Sequence, residues 1–216
     1  MANPHTGAHS AVAHHFQDYD QQRDAVSLGM WTFLTTEVLF FGGLFAGYMV
    51  FRAAYPQAFI EGSHHLDVVL GAINTWVLLT SSLTMALAVH AAQLGRAQRT
   101  TLLLVATLVL GLVFLGIKGL EYYHKFEEGL IPGASFVWPG ADRGPVQLFF
   151  FLYFTMTGLH AIHMIIGIGV IIVMAWLAWR GYYQTDYMPV EVLGLYWHFV
   201  DIVWIFLFPL LYLISR

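Results

Sequence analysis

The sequence predicts an all-α membrane protein, a bundle of five transmembrane helices, and three observations carry this prediction. Of the 216 residues, 58% are apolar and only 10% are charged, whereas soluble domains contain roughly 25% charged residues. Five apolar runs each reach the roughly 20 residues that a helix needs to cross a bilayer. Their length and their lack of two-residue alternation exclude the strands of a membrane barrel.

The five apolar runs follow one another along the chain with short connections between them. They are residues 26–51, 68–89, 101–120, 146–179 and 192–214. The longest connections, residues 52–67 and 123–145, are too short to be domains. We therefore predict a polar N-terminal tail over residues 1–25 and a single transmembrane domain over residues 26–216.

Charge and composition exclude several classes of function. With 9 basic and 13 acidic residues, the chain has a formal charge of −4, so it lacks the cationic surface that binds nucleic acid. There is no cysteine, which excludes disulfides, iron–sulfur clusters and thiolate ligands. Any metal would need histidine or carboxylate ligands. The tail contains four histidines, which we interpret as solvated side chains rather than a metal site: His5, His9, His14 and His15.

The carboxyl group of Glu37 is the sharpest functional candidate within the runs. It lies near the middle of the first run, about 17 Å from its start at 1.5 Å per residue, and the run contains no basic residue. A charge at that depth is costly, so we expect a neutral acid that faces a lipid groove or a catalytic partner. Proton handling and a hydrogen bond that joins two helices are the two roles open to it.

Two pairs of ionisable residues stand at helical spacing in the last two runs. His160 and His163 lie three residues apart, as do His198 and Asp201, so the members of each pair share a helix face. Such groups could ligate zinc, copper or iron, or they could form hydrogen bonds between helices. We favour the hydrogen bonds, because a metal site needs three or four convergent ligands, and we expect no metal on this chain.

Three further patterns predict packing rather than chemistry. Glu121 can pair with Lys118 or Lys125 at helical spacing, and we predict a cluster at the membrane interface there. Small residues in the first run predict close helix packing, namely Gly42, Gly43, Ala46 and Gly47. Tryptophans predict belts at the two membrane interfaces, namely Trp76, Trp138, Trp176, Trp179, Trp197 and Trp204.

The segments that hold these residues resemble, in the same order, subunit III of the haem–copper terminal oxidases. EVLFF in the first run places the family's membrane-embedded glutamate at Glu37, and INTWVLLTSSLT and GLEYYHKF are similar to the family's next two motifs. TGLHAIHMIIG carries over His160 and His163. EVLGLYWHFVDIVW carries over Glu191, Trp197, His198 and Asp201. The chain resembles the five-helix bacterial form, without the first helix pair of seven-helix members.

The resemblance implies a non-redox subunit of a proton-pumping oxidase that reduces oxygen to water with electrons from cytochrome c or quinol. It implies haem and copper in partner subunits I and II, with further small subunits, and no cofactor other than phospholipids on this chain. The family's subunit binds lipids in a groove, and it supports proton uptake and the stability of the catalytic subunit. The implied proton-handling or lipid-groove residues are Glu37, Glu121, His160, His163, Glu191, Trp197, His198 and Asp201; no catalytic or metal-binding residue is expected.

The resemblance also implies the bacterial cytoplasmic membrane as the location. It places the N-terminus and the loop 93–100 in the cytoplasm, and the loop 125–145 and the C-terminus outside. Basic residues are balanced between the two sides, so the positive-inside rule permits this topology without requiring it. Two other functions stay open at this point. One is a helper subunit of a nitric oxide reductase system, and the other is a stand-alone proton-coupled transporter, which would usually show repeats that we do not find.

Overall fold

Six α-helices make up most of the computed structural model, which describes residues 18–133, 135–140, 142–184 and 186–214. They are α1 (Tyr19–Ala54), α2 (Pro56–His64), α3 (Val68–Gln93), α4 (Ala97–Glu127), α5 (Arg143–Trp179) and α6 (Met188–Tyr212), with a 3-10 turn over Tyr182–Gln184. The described residues contain no strand. Every helix except α2 is long and apolar enough to cross a membrane. The predicted all-α membrane bundle of five transmembrane helices is thus confirmed.

Helix α1 begins earlier than the first apolar run because Asp18 caps it. The Asp18 Oδ1 atom accepts a hydrogen bond of 2.7 Å from the backbone N–H of Gln21, which satisfies one of the free donors in the first turn. Residues 19–25 therefore belong to the helix rather than to the predicted tail. Residues 1–17 of that tail, with its four histidines, lie outside the described residues.

The connection predicted over residues 52–67 contains the short helix α2. Pro56 stands in its first turn, where a missing N–H leaves no helical hydrogen bond unmade. Phe59 and Gly62 are buried, and a Cβ atom at Gly62 would overlap the ring of Phe149 on α5. The absence of a side chain at Gly62 therefore allows α2 to lie directly on α5.

The core of the bundle contains two tryptophans of α6. Trp197 and Trp204 are both fully buried. The indole nitrogen of Trp197 donates to Ser81 Oγ at 3.0 Å, and that of Trp204 donates to Thr75 Oγ1 at 3.1 Å, both on α3. The prediction of interfacial belts was wrong for these two residues, because hydroxyls of a neighbouring helix replace the lipid headgroups as acceptors. Three of the other tryptophans do face outward: Trp76, Trp176 and Trp179.

Helix α1 packs on the bundle through a narrow stripe of side chains. Its buried residues recur at every seventh position, Leu34, Phe41 and Tyr48. The predicted close packing through small residues is wrong for the described part of this chain, because the space beside Gly42, Gly43 and Gly47 is open. These glycines lie on the surface of α1 that faces away from the bundle.

Hydrogen bonds to distant residues hold the two ends of α1. Near its start, the Tyr19 hydroxyl donates to Asp186 Oδ1 at 2.9 Å, in the segment that precedes α6. Near its end, the Tyr48 hydroxyl donates to the carbonyl oxygen of Leu210 at 2.6 Å, in the last turn of α6. Between these two contacts α1 meets α5 at Glu37.

Candidate functional site in the membrane interior

Glu37 meets a histidine from another helix. Its Oε2 atom lies 3.2 Å from Nε2 of His163 on α5, and the two side chains are only 19% and 16% exposed. The ring of Phe41 packs edge-on against His163 at a centroid distance of 5.4 Å. The Tyr196 hydroxyl donates to the His163 carbonyl at 2.9 Å. Helices α1, α5 and α6 therefore converge on this pair, and sequence reasoning missed the partner because it lies far along the chain.

The contact between Glu37 Oε2 and His163 Nε2 is a hydrogen bond when one proton lies between these two atoms. His163 Nδ1 lies 2.8 Å from the carbonyl oxygen of Leu159, and a carbonyl can only accept, so Nδ1 carries a hydrogen. Nε2 then either accepts a hydrogen bond from a protonated Glu37 or, as part of an imidazolium, donates to a carboxylate. Both arrangements are neutral overall, which avoids a net charge in the membrane interior. The expected neutral acid at Glu37 stays a prediction.

A crevice between α1, α5 and α6 lies near this pair but is not lined by it. Its volume is about 560 Å³, and Tyr196, which contacts His163, is one of its lining residues. Most of its wall is apolar, from Val26, Met30, Ile166, Val170, Met174, Pro189, Val192 and Leu193. Tyr183, in the turn after α5, donates to the Met174 sulfur at 2.7 Å. Burial raises the pKa of Tyr183 to about 12, so the hydroxyl keeps the proton that fixes this part of the wall.

A smaller polar cavity adjoins the crevice and contains Glu191. Its volume is about 220 Å³, and it shares Val26, Met30, Met188 and Val192 with the crevice. Arg23, Ser27 and Glu191 provide its polar groups. The combined space thus has an apolar part, which ends at Tyr196, and a polar part with one cation and one anion near the starts of α1 and α6.

His160 is enclosed by aromatic rings rather than bonded to a polar group. It is 1% exposed, and its ring lies 5.5 Å from the ring of Phe114 and 5.4 Å from that of Trp204. Neither ring nitrogen has a hydrogen-bond partner among the described residues. The hydrogen bond predicted for His160 is therefore not formed within this part of the chain, and its contacts with α4 and α6 are made by ring packing.

His198 and Asp201 flank a serine of α3. His198 Nδ1 lies 2.7 Å from Ser82 Oγ, as the prediction of an interhelical hydrogen bond requires. Asp201 is 2% exposed, and its carboxyl lies beside the same hydroxyl. Neither carboxyl oxygen makes a hydrogen bond of ordinary geometry with a described residue. Ser82 therefore stands between a half-buried imidazole and a fully buried carboxyl.

Lys118 and Glu121 form an ion pair inside the bundle, with Nζ 3.1 Å from Oε2. The hydroxyls of Tyr153 on α5 and Tyr212 on α6 accept from Nζ at 3.1 and 2.8 Å, and they donate to Glu121 Oε1 at 2.9 and 2.6 Å. Glu121 thus pairs with Lys118, as the helical spacing allowed, and tyrosines of two other helices supply the hydrogen bonds that buried charges need. The position of this cluster at the membrane interface stays a prediction. Lys125 pairs with Glu128 instead of Glu121.

The predicted histidines and carboxylates occupy separate places in the bundle. His163 joins α1, His198 joins α3, and His160 lies among rings of α4 and α6. Within the described ranges, no three histidine, aspartate or glutamate side chains come close enough to hold a metal ion. Sequence reasoning also missed Tyr153 and Tyr212, because nothing in the spacing of a tyrosine shows which distant helix it will contact.

Comparisons with known proteins cover nearly the whole chain. Residues 10–216 match the family model described as cytochrome c oxidase subunit III. The chain is 34% identical over 193 residues to cytochrome c oxidase subunit 3 of Corynebacterium diphtheriae, with 88% of each chain covered. It is 34% identical over 189 residues to quinol oxidase subunit 3 of Bacillus spizizenii, covering 87% of this chain and 86% of the relative. It is 31% identical over 189 residues to the probable quinol oxidase subunit 3 of Staphylococcus haemolyticus, covering 87% of this chain and 88% of the relative.

Proposed function

The chain belongs to the cytochrome c oxidase subunit III family, and on this basis we propose that it is the non-redox subunit III of a proton-pumping haem–copper terminal oxidase. Such an oxidase reduces oxygen to water in aerobic respiratory electron transport. The names of the relatives favour an oxidase over the nitric oxide reductase helper and the transporter. They also divide between cytochrome c and quinol as the electron donor.

In this proposal haem and copper belong to partner subunits I and II, and further small subunits complete the complex. The described residues of this chain do not fit a haem or copper site, because such a site needs convergent ligands. The three described histidines of the last two spans instead have different neighbours, as His163 contacts Glu37 and His198 contacts Ser82, while His160 lies between rings.

The observation that carries the lipid-binding part of the proposal is the crevice that ends at Tyr196, together with the adjoining cavity that contains Arg23 and Glu191. Its apolar wall suits the acyl chains of a phospholipid. At the polar part, Arg23 can pair with the phosphate of a headgroup and Glu191 with an ammonium group. A phospholipid bound there fills the space between α1 and the rest of the bundle, and so stabilises a helix that has few contacts of its own.

The Glu37–His163 pair supports the proton-handling part of the proposal. Its proton can move between Oε2 and Nε2 with no change in the net charge of the pair, so the movement avoids the cost of a lone charge at this depth. In our proposal this pair sustains proton uptake by the catalytic subunit and protects that subunit during turnover. This chain would position groups and supply protons, and the partner subunit would carry out the reduction of oxygen.

For the location we propose the bacterial cytoplasmic membrane, with the N-terminal side of α1 in the cytoplasm. The loop 93–100 then also lies in the cytoplasm, where its Arg96 and Arg99 fit the excess of positive charge in short cytoplasmic loops. The loop 125–145 faces outward, and so does the C-terminus, whose last residues lie outside the described range.

Filling the crevice tests the lipid-binding role. Val170 lines the crevice, whereas Ile172, a similarly exposed residue on the same helix, does not. In the purified oxidase, we expect Val170→Trp to release bound phospholipid, seen by native mass spectrometry, and to shorten the period of oxygen consumption before inactivation. Ile172→Trp should change neither. Retention of the lipid by Val170→Trp would refute the crevice as its site, and a tagged chain that purifies without haem-containing subunits would refute the subunit assignment.

A further inference from the structure

We propose that the membrane face around His198, where α3 and α6 meet, is the surface on which a transmembrane helix of a partner oxidase subunit docks, with a polar side chain of that helix bonded to His198 Nε2. This inference rests on the proposed function, since it requires an oxidase complex. It goes beyond that function because it assigns the surface and the anchoring residue.

The imidazole of His198 is fixed in place and points one nitrogen outward. Nδ1 is held by Ser82 Oγ at 2.7 Å, and the ring is half-buried between α3 and α6. Nε2 has no hydrogen bond to any residue that the structure describes. Ser82 and His198 both stand near the middle of their helices, so this nitrogen lies near the centre of the bilayer.

Lipid cannot satisfy a hydrogen-bonding group at that depth. Acyl chains carry no donor or acceptor, and an unsatisfied polar group in the hydrocarbon region costs several kcal/mol. Headgroups begin about 15 Å away, at half the hydrocarbon thickness, and the short stem of histidine cannot reach them as lysine or arginine would. A protein helix is therefore the occupant that can supply a partner to Nε2.

Asp201 provides a second observation at the same place. Its carboxyl is buried next to Ser82 and makes no regular hydrogen bond within the described residues. Three polar groups thus run from the interior to the surface, namely Asp201, Ser82 and His198. Intramembrane ionisable groups are rare, and they mark functional or interacting sites. By contrast, the outward face of α4 is apolar, with Leu102, Val109, Leu112 and Val113.

The surroundings of His198 define the chemistry of the partner. Leu79 and Ala86 flank Ser82 on α3, and Leu195 and Ile202 flank His198 on α6, each three or four residues away and all at least partly exposed. No charged side chain occupies these flanking positions. The complementary surface is therefore an apolar helix that carries one hydrogen-bonding side chain at the membrane centre.

Site-specific photo-crosslinking in the assembled oxidase tests this surface. We would place benzoylphenylalanine at Ile202, beside His198, and at Leu112 on the apolar face of α4 as the matched control. We expect the Ile202 position to crosslink to a larger oxidase subunit, and the Leu112 position to give at least ten-fold less of that product. Crosslinks from Ile202 to lipid alone, to a second copy of this chain, or in equal yield from Leu112 would overturn the proposal.

Substitution of His198 tests the anchoring hydrogen bond separately. We expect His198→Leu to weaken retention of this chain in the detergent-purified complex by about 3- to 20-fold, the range measured for hydrogen bonds between membrane helices. His198→Gln, which keeps donors and an acceptor, should restore most of the retention, and Ile202→Leu should leave it unchanged. If His198→Leu is retained as well as the parent chain, the anchor is wrong. If no haem-containing subunit co-purifies with any variant, the proposed function itself is wrong.

Discussion

Trp197 of α6 lies against Gly167 of α5, where a Cβ atom would come within 2.9 Å of the ring atom Cζ3. The neighbouring ring atoms Cη2 and Cζ2 of the same indole face Gly111 of α4, with a Cβ-to-Cη2 distance of 3.0 Å. Its indole nitrogen is held by Ser81 of α3. One side chain therefore joins four helices, because two of them have no side chain at the contact.

A methyl group at Gly167 should destabilise the bundle. We expect Gly167→Ala to lower the free energy of unfolding by about 1 to 3 kcal/mol, the usual cost of overpacking, because the held indole cannot move away. Unfolding in dodecyl sulfate mixed micelles would measure the loss. Gly169→Ala is the matched control, since no atom lies within 4 Å of a Cβ atom there. Equal losses in the two variants would contradict the packing that we describe.

Two changes at Glu37 should have different effects. Glu37→Gln keeps a hydrogen-bonding group beside His163, so we expect normal assembly with a modest loss of oxidase activity. Glu37→Lys places a cation in mid-membrane, which costs about 3 kcal/mol on insertion scales, so little chain should resist carbonate extraction. Ala54→Lys is the control for a lysine at the end of α1, from which the side chain can reach water. Equal membrane insertion of the two lysine variants would refute the depth assigned to Glu37.

Removal of one charge from the Lys118–Glu121 pair should lower the free energy of unfolding more than removal of both charges. Lys118→Met leaves a buried carboxylate without its cation, and we expect a loss of roughly 3 to 5 kcal/mol. Combining it with Glu121→Gln removes the uncompensated charge and should recover much of that stability. Lys125→Met breaks a pair whose glutamate is half-exposed, and should cost less than about 1 kcal/mol. A double variant as unstable as Lys118→Met would contradict this account.

Thiol labelling can establish the topology, because the chain has no native cysteine. Gln98 and Val137 are both exposed, and they lie on opposite sides in the proposed arrangement. We expect an impermeant maleimide to label Val137→Cys on intact cells, and Gln98→Cys only after permeabilisation. The reverse pattern would invert the proposed orientation.

Hydropathy predicted the five spans because the fit of a helix to the bilayer depends on local sequence alone. The ends of the helices were less predictable. The early start of α1 depends on the Asp18 cap, which lies outside the apolar run. Helix α2 has only 9 residues, too few to stand out in a search for membrane spans.

Whether a polar contact could be predicted depends on how far apart its two residues lie along the chain. Lys118 and Glu121 are three residues apart, and the spacing rule for helices predicted their pairing. Glu37 and His163 are 126 residues apart, and Ser82 and His198 are 116 apart, so no local rule could join them. The prediction that the indole of Trp197 lies at the membrane interface was wrong for another reason. A headgroup and a buried serine are both acceptors, and the sequence pattern does not distinguish them.

The distant contacts of α1 impose an order on the biogenesis of the protein. Tyr19, Glu37 and Tyr48 bind partners that follow 126 to 167 residues later, although α1 leaves the ribosome first. At about 5 to 20 residues per second, Glu37 waits roughly 6 to 25 seconds before His163 has been translated. During that interval α1 lacks its contacts with α5 and α6, so the rate of translation of the last two helices sets how long the carboxyl of Glu37 stays without its partner.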